Sequence, residues 1–363
     1  MSKYFINNSC DIYKNGELMP PSYTRIRDGK EDFIEKDIKA IQSRMTGEVK
    51  SISEPCFYAG VKYDHFGHFL LESLSRLYKY KGDKPIVWLG GGPQFTQYQK
   101  EILSIFGLLE KKHIFLNSDT TFTDLEVIER GYIIWDTFLK EHSKFLRVVK
   151  KNVESPFFNK KIWISRAGFK TFSNEWLIEC TLKNHGWLII DPTLLSIQEQ
   201  AEMFASAKKI AGIEGSAFHT IILCSDVCID VTIFSRNSLG LNGNYLKIDE
   251  VMETKHSLIT SVLDSSMIIN FDFIFKHLNI DLNLFELNLQ YEWKRSVSSE
   301  LGRKLSKHEV IDKLRETAIS HEGSDIYFAL DLMQLAAKHR PDGVVIKSKV
   351  NQYQREIKKI TPK

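Results

Sequence analysis

The sequence predicts an α/β protein built on parallel sheets, with a helical segment at its C-terminal end. Three observations carry this. A rhythm of strand, glycine turn, helix and strand begins at Pro85 and restarts near residue 155, as parallel α/β sheets require. The chain of 363 residues is about twice the usual single-domain length, so two α/β units fit within it. After about residue 290 the composition turns basic and helical. This organisation divides the chain into an N-terminal α/β unit at 1–152, a second at 153–290 and a helical segment at 291–363.

The first sixty residues are turn-rich, through Pro20-Pro21 and Pro55. Over residues 66–80 apolar side chains recur at 66, 69, 70, 74, 77 and 78, the spacing of a helix with one buried face. Pro85-Ile86-Val87-Trp88-Leu89 reads as a short buried strand ending in Gly90-Gly91-Gly92-Pro93. A helix follows over 95–108, then strands at 113–116 and 125–128. The pattern restarts with a strand at 161–165 and a helix at 174–185, capped by Ser173 or Asn174. The next strand, at 186–190, ends at Asp191-Pro192. Ser196 opens another helix, and Glu199 three residues on completes a capping box. A strand at 210–212, a helix starting at Gly215-Ser216 and a strand at 228–233 close the second unit. The C-terminal segment reads as helices at 307–320, 325–339 and 345–360, the last two separated by Pro341-Asp342-Gly343.

Composition removes several classes. With 43% apolar and 26% charged residues the chain is neither disordered, collagen-like nor a small disulfide scaffold. The balance of 49 basic against 46 acidic residues ranks polyanion-coating proteins low. That total hides an uneven distribution: residues 294–363 carry 15 Lys or Arg against 9 Asp or Glu, +6, and the remainder −3. The basic helices are a solvated face, a packing element, or a contact for a partner or an anionic membrane. Five scattered cysteines, Cys10, Cys56, Cys180, Cys224 and Cys228, do not suit a disulfide framework and fit a reducing compartment. The N-terminus lacks the apolar run of a signal peptide, and no window approaches the roughly 20 apolar residues of a membrane span. The expectation is a cytoplasmic protein with peripheral membrane contact at most.

Three segments carry candidate chemistry. In Tyr63-Asp64-His65-Phe66-Gly67-His68-Phe69-Leu70-Leu71-Glu72, a helix puts His65, His68 and Glu72 on one face. They suit a general base, a metal or polar packing. In the second segment Arg166 and Lys170 lie beyond a strand end, ahead of the polar helix start Ser173-Asn174-Glu175. Ligands of parallel sheets sit there, and a guanidinium clamps phosphate well; an ordinary charged loop is the alternative. The third is Gly212-Ile213-Glu214-Gly215-Ser216-Ala217-Phe218-His219. Its glycines let backbone N–H groups approach an anion. It is neither the full dinucleotide fingerprint nor a P-loop, because no Lys follows the last glycine. Glu214 would repel phosphate and fits a sugar hydroxyl, while His219 faces either the core or the site.

Taken in this order, the segments resemble glycosyltransferase family 61, first catalogued as a domain of unknown function. The resemblance rests on His68-x-x-x-Glu72 with Arg76-Leu77, and on Arg166 with Asn174-Glu175. It continues through Ser196-x-x-Glu199-Gln200 ahead of Phe204 and Ala207, and ends on Glu214-Gly215-Ser216-Ala217. It covers roughly residues 55–235. The sequence departs from the family where Glu214 replaces a common His, and where Lys170 stands for a common second Arg.

The resemblance implies a GT-B-like architecture, two Rossmann-like domains facing a cleft, with the C-terminal helices as an appendix. It implies inverting, metal-independent transfer from a nucleotide sugar, expected to be UDP-linked and acting as substrate, with no cofactor. The acceptor would be an oligo- or polysaccharide or a lipid-linked glycan, in bacterial capsule or surface polysaccharide synthesis, at the inner face of the cytoplasmic membrane. No nucleic acid is expected as a partner. Glu72, His68 and His65 would be catalytic. Arg166, Lys170, Asn174, Glu175, Glu214, Gly215, Ser216 and His219 would bind the donor. Two other readings compete: a metal-dependent hydrolase using His65, His68 and Glu72, and a non-catalytic nucleotide- or glycan-binding assembly protein docked through its basic tail.

Overall fold

The computed structural model describes residues 4–6, 12–19, 24–27, 30–33, 46–166, 175–225, 230–235, 243–254, 256–259, 271–283 and 307–360. Lys170, Ser173, Asn174, Cys10 and Cys228 lie outside the described residues.

Runs of β-branched and aromatic residues between turn residues form the strands. Cys56–Val61 (β1) and Ile86–Leu89 (β2) are buried along their whole length. With His113–Leu116 (β3) and Leu125–Glu126 (β4) they make a parallel sheet in the order β4-β1-β2-β3. A parallel sheet covered on both faces needs such near-continuous apolar strands. Phe57, Ile86 and Trp88 face one core, while Tyr58, Val87 and Leu89 face another. The second of these cores is shared with a mixed sheet of Tyr4–Ile6, Ile12–Lys14, Glu17–Leu18, Thr46–Ile52 and Ser118–Phe122. Much of that sheet comes from the stretch that reads as turn-rich in sequence. Gln97–Ile105 (α1) follows β2.

The second sheet is wholly parallel. It comprises Lys161–Ile164 (β5), Leu188–Ile190 (β6), Lys209–Ile213 (β7), Asp230–Phe234 (β8) and His256–Ile259 (β9), in the order β6-β5-β7-β8-β9. The chain steps from β5 outward to β6, then crosses back past β5 to β7. Right-handed crossovers put the two connecting helices on opposite faces. Glu175–Asn184 (α2) packs Ile178 and Leu182 beside Trp163, and Ile197–Ser206 (α3) packs Ala201, Met203 and Phe204 beside Ile162 and Ile164. A crevice therefore opens beyond the carboxyl ends of β5 and β7, where the winding reverses. The predicted capping box forms at α3: Glu199 N–H donates to Ser196 Oγ at 3.2 Å, and Ser196 N–H donates to Glu199 Oε2 at 2.8 Å. Gly243–Met252 (α4) and β9 were not read from sequence.

One core contains side chains of both parallel sheets, Phe57 and Trp88 together with Ile162, Ile164 and Phe218. The outer face of the second sheet is covered by α2 with Lys307–His321 (α5), Ile326–His339 (α6) and Val344–Ile360 (α7). These three place Leu314, Leu332, Met333 and Tyr353 against Trp163, Ile213 and Phe234. The basic segment thus packs through its apolar face. Among the described residues no helix is long and apolar enough to cross a membrane.

The continuous helix expected at 66–80 does not form. A helical turn at Phe66–His68 passes into a π-helical turn at Phe69–Ser73, and a 3-10 turn follows at Leu77–Lys79. Leu74 N–H reaches back five residues to Phe69 O at 3.3 Å. The wide turn buries Phe69, Leu70, Leu71 and Leu74 together. Beyond it, Ser75 O accepts the Gly131 N–H and Arg76 Nε donates to Ile128 O at 2.9 Å, so tertiary bonds replace the helical ladder.

Candidate active site

The first wall grows from the carboxyl end of β1. Lys62, only 1% exposed, donates Nζ to Asp64 Oδ1 at 2.8 Å and to Gln94 O at 3.3 Å. Tyr98 OH donates to Asp64 O at 2.7 Å, and Tyr63 N–H donates to Ser73 Oγ at 3.0 Å. These bonds fix the loop that carries His65 into the turn bearing His68. His68 Nδ1 lies 2.6 Å from Glu72 Oε1. A carboxylate only accepts, so Nδ1 holds the proton and Nε2 becomes the basic position of the neutral ring. π-helical turns recur at functional sites; here one sets this i, i+4 pair. His65 precedes the turn in extended conformation, its ring 5.1 Å from that of His68.

The second wall lies at the winding reversal. Arg166 follows β5; its N–H donates to Glu175 Oε1 at 2.9 Å, and its Nη1 donates to the backbone oxygen of Glu214 after β7. Glu175 is fully buried in the first turn of α2. Gly215 is extended (φ −174°), so it is needed for space rather than handedness: a Cβ there would lie 2.5 Å from Arg166 Nη1. Ser216–Leu223 is a 3-10 helix whose N-cap, Gly215, offers no side-chain cap. Ser216 and Ala217 stand at its N-terminal end, where N–H groups carry partial positive charge. His219 packs on Tyr245 with ring centres 5.1 Å apart. Tyr245 OH donates to Gly215 O at 2.9 Å.

Gly67 joins the walls. A Cβ on it would meet His219 Nδ1 at 3.0 Å and Ser216 Cβ at 3.1 Å. The backbone beside His68 therefore lies directly on the helix that starts at Ser216.

Between the walls is a cavity of about 910 Å³. His65 and His68 line it from the first wall, and Arg166, Glu214, Gly215, Ser216 and His219 from the second. Glu72 stands behind His68, and Glu175 stands behind Arg166; neither lines the cavity. Among the described residues Arg166 is the one Arg or Lys in the lining. The carboxylates of the lining are engaged: Asp64 by Lys62, Asp191 by Thr193 N–H at 3.0 Å, Glu101 by Ile197 N–H at 2.9 Å and Glu214 by Ser235 Oγ at 3.5 Å. Among the described residues no group of three His, Cys, Asp or Glu side chains is placed to hold a metal ion. Cys56 and Cys224 are buried, and burial pushes both thiols up, Cys56 to about 11, so neither is a reactive thiolate.

Sequence reading missed Asp64, Tyr98, Glu101, Trp135, Asp191 and Tyr245, which also line the cavity. Asp64 stood inside the first motif and Asp191 ended a predicted strand. Trp135 and Tyr245 come from a hairpin tip and from α4, a helix that the sequence reading does not include. Arg76 takes a different place: it is 5% exposed, lies 5.4 Å over the Tyr58 ring and is lowered by burial to about 10. It braces β1 and does not line the cavity.

Fold and cavity define an α/β protein with an anion-suited crevice at the reversal of a doubly wound sheet, beside a carboxylate-backed histidine. Residues 66–229 match the family model described as Glycosyltransferase 61. The matched stretch includes His68 and Glu72 on one wall and Arg166 and Glu214 to Ala217 on the other, and it supports a glycosyltransferase. A search among curated proteins returned no match.

Proposed function

We propose that the protein is an inverting, metal-independent glycosyltransferase of GT-B-like arrangement. It moves a sugar from a nucleotide donor, UDP-linked in this reading, to a glycan acceptor in capsule or surface polysaccharide synthesis. One observation carries this: Gly67 brings the His68–Glu72 pair against the turn where Arg166 meets Glu214 and Gly215. A base for a hydroxyl and a cradle for a diphosphate thus face one cavity.

In the proposed reaction the acceptor hydroxyl gives its proton to His68 Nε2 as its oxygen bonds to the anomeric carbon. The bond from that carbon to the diphosphate oxygen breaks on the opposite face, and its electron pair leaves with the diphosphate. Glu72 stabilises the imidazolium that forms. Arg166 and the N–H groups at Ser216 and Ala217 take up the charge of the leaving group. Glu175 holds Arg166 by its backbone. Lys347, Arg355, Lys358 and Lys359, exposed on α7, meet the anionic inner membrane face or the synthesis complex in this reading. Flotation with anionic vesicles, lost at high salt, checks that contact.

The test is turnover of UDP-, GDP- and CMP-sugars with candidate glycan acceptors by the purified protein. Arg166→Ala removes one preorganised charge donor, worth about 2 to 4 kcal/mol, so kcat falls about 30- to 1,000-fold. Near-full activity in that variant refutes the assignment of the cradle.

A further inference from the structure

Trp135 stands out within the cavity. It sits in the three-residue loop between Tyr132–Ile133 and Thr137–Phe138, which pair as a hairpin. Its φ is 62°, the left-handed region that large side chains rarely occupy. Glycine or asparagine would take such a position at lower cost. A bulky residue held there by its surroundings is an outlier of the kind that clusters at functional sites.

The surroundings are built for it. Gly243 opens α4, and a Cβ on it would lie 3.1 Å from Trp135 Cδ1 and 3.5 Å from Cγ. That is tighter than most contacts a Cβ makes, so a side chain there would push the pyrrole edge of the indole aside by a few tenths of an ångström. Tyr132 OH donates to Asn244 Oδ1 at 2.6 Å, both residues being buried, which locks the hairpin onto α4. The next residue, Tyr245, bonds to Gly215 O. The indole is therefore tied through one helix to the turn beside Arg166, and Trp135, Asn244 and Tyr245 line the same cavity.

We infer that Trp135 is the platform on which the nucleobase of the donor stacks while the diphosphate lies at Arg166 and Gly215. This rests on the reading of the cavity as a nucleotide-sugar site. An indole suits a nucleobase because both present flat π faces, and such stacking tolerates any base. It also needs no further cation, in a lining where Arg166 is the one Arg or Lys among the described residues.

Titration calorimetry with UDP, GDP, CDP and inorganic pyrophosphate tests this on the full chain. Trp135→Ala is expected to weaken the tightest nucleoside diphosphate about 10-fold or more and to leave pyrophosphate affinity unchanged. Trp135→Phe is expected to recover most of the loss, and Gly243→Ala to weaken the nucleotide alone by displacing the indole. Thermal unfolding of each variant reports its fold. Unchanged nucleotide affinity in a folded Trp135→Ala protein overturns the proposal and leaves the cavity reading intact. Equal loss for nucleotide and pyrophosphate overturns it in favour of a structural role. Failure of the wild-type protein to bind any of the four overturns the cavity reading and the inference together.

Discussion

Gly215→Ala separates the position of Arg166 from its presence. The added Cβ lies 2.5 Å from Arg166 Nη1, against an ordinary contact of 3.4 Å or more, so the guanidinium moves by about 0.9 Å, a shift of the size that costs an active site roughly 100-fold. The fold has little reason to suffer. Gly215 is extended at φ −174°, a conformation alanine adopts freely, and the atom displaced is the end of a long side chain. Alanine also lowers the entropy of the unfolded chain, a stabilisation of about 0.4 to 1 kcal/mol. The expected result is unchanged unfolding with kcat/KM for the nucleotide sugar down about 100-fold, read as release of the nucleoside diphosphate. In an Arg166→Ala background the same substitution should cost nothing more, because contacting residues are not additive. Wild-type kcat/KM in Gly215→Ala, or an equal fall in both backgrounds, refutes the reasoning.

Three further substitutions probe other links. Glu72→Gln keeps a side chain of the same length beside His68 but removes the charge, so kcat should fall about 5- to 30-fold with donor KM unchanged. His68→Ala should lose about 100- to 10,000-fold; full kcat in both variants removes the base from this turn. His142 probes stability: it is fully buried among Tyr78, Phe138 and Phe145, and burial holds it at about 3, against an ordinary 6.5. The unfolded chain takes up a proton as pH falls through 6.5 and the folded chain does not until about 3, so stability is full above 6.5 and declines below it. The loss is about 2 kcal/mol at pH 5 relative to neutral pH. His142→Phe should flatten that slope in urea unfolding at pH 5 and 7.5, and an unchanged slope counts against it.

Four strands of the second sheet, β5 to β8, were legible because each is a short apolar run between turn residues, and the helix at Ser196 because its cap is local. The mixed sheet was not. It pairs Tyr4–Ile6 with Ser118–Phe122, far along the chain, and no local pattern reports such a partner. The helix at 66–80 misled for a related reason. Its periodicity is real, but Gly131 and Ile128 compete for the backbone and side chain of Ser75 and Arg76. In the site, His68, Glu72, Arg166 and Gly215 were legible because they stand in compact motifs. Trp135 was not, since nothing in its neighbours announces a left-handed turn.

Several buried charged residues within or beside these motifs never line the cavity. Lys62, Arg76 and Glu175 are all at least 95% buried, where a charge gains little net stability even when well bonded. Their bonds are directional, and each ends on a loop near a strand's carboxyl edge. Lys62 holds Asp64 and Gln94, Arg76 holds Ile128 after β4, and Glu175 holds the backbone of Arg166. Such loops lie beyond the hydrogen-bond ladder of the sheet, so their backbone groups need partners from elsewhere. The proposed reaction, with a base on one wall and a charge cradle on the other, would not tolerate an ångström of play in those loops. Buried charges behind the walls hold those loops in place, which is why a motif of this chain carries residues buried behind the cavity beside those that line it.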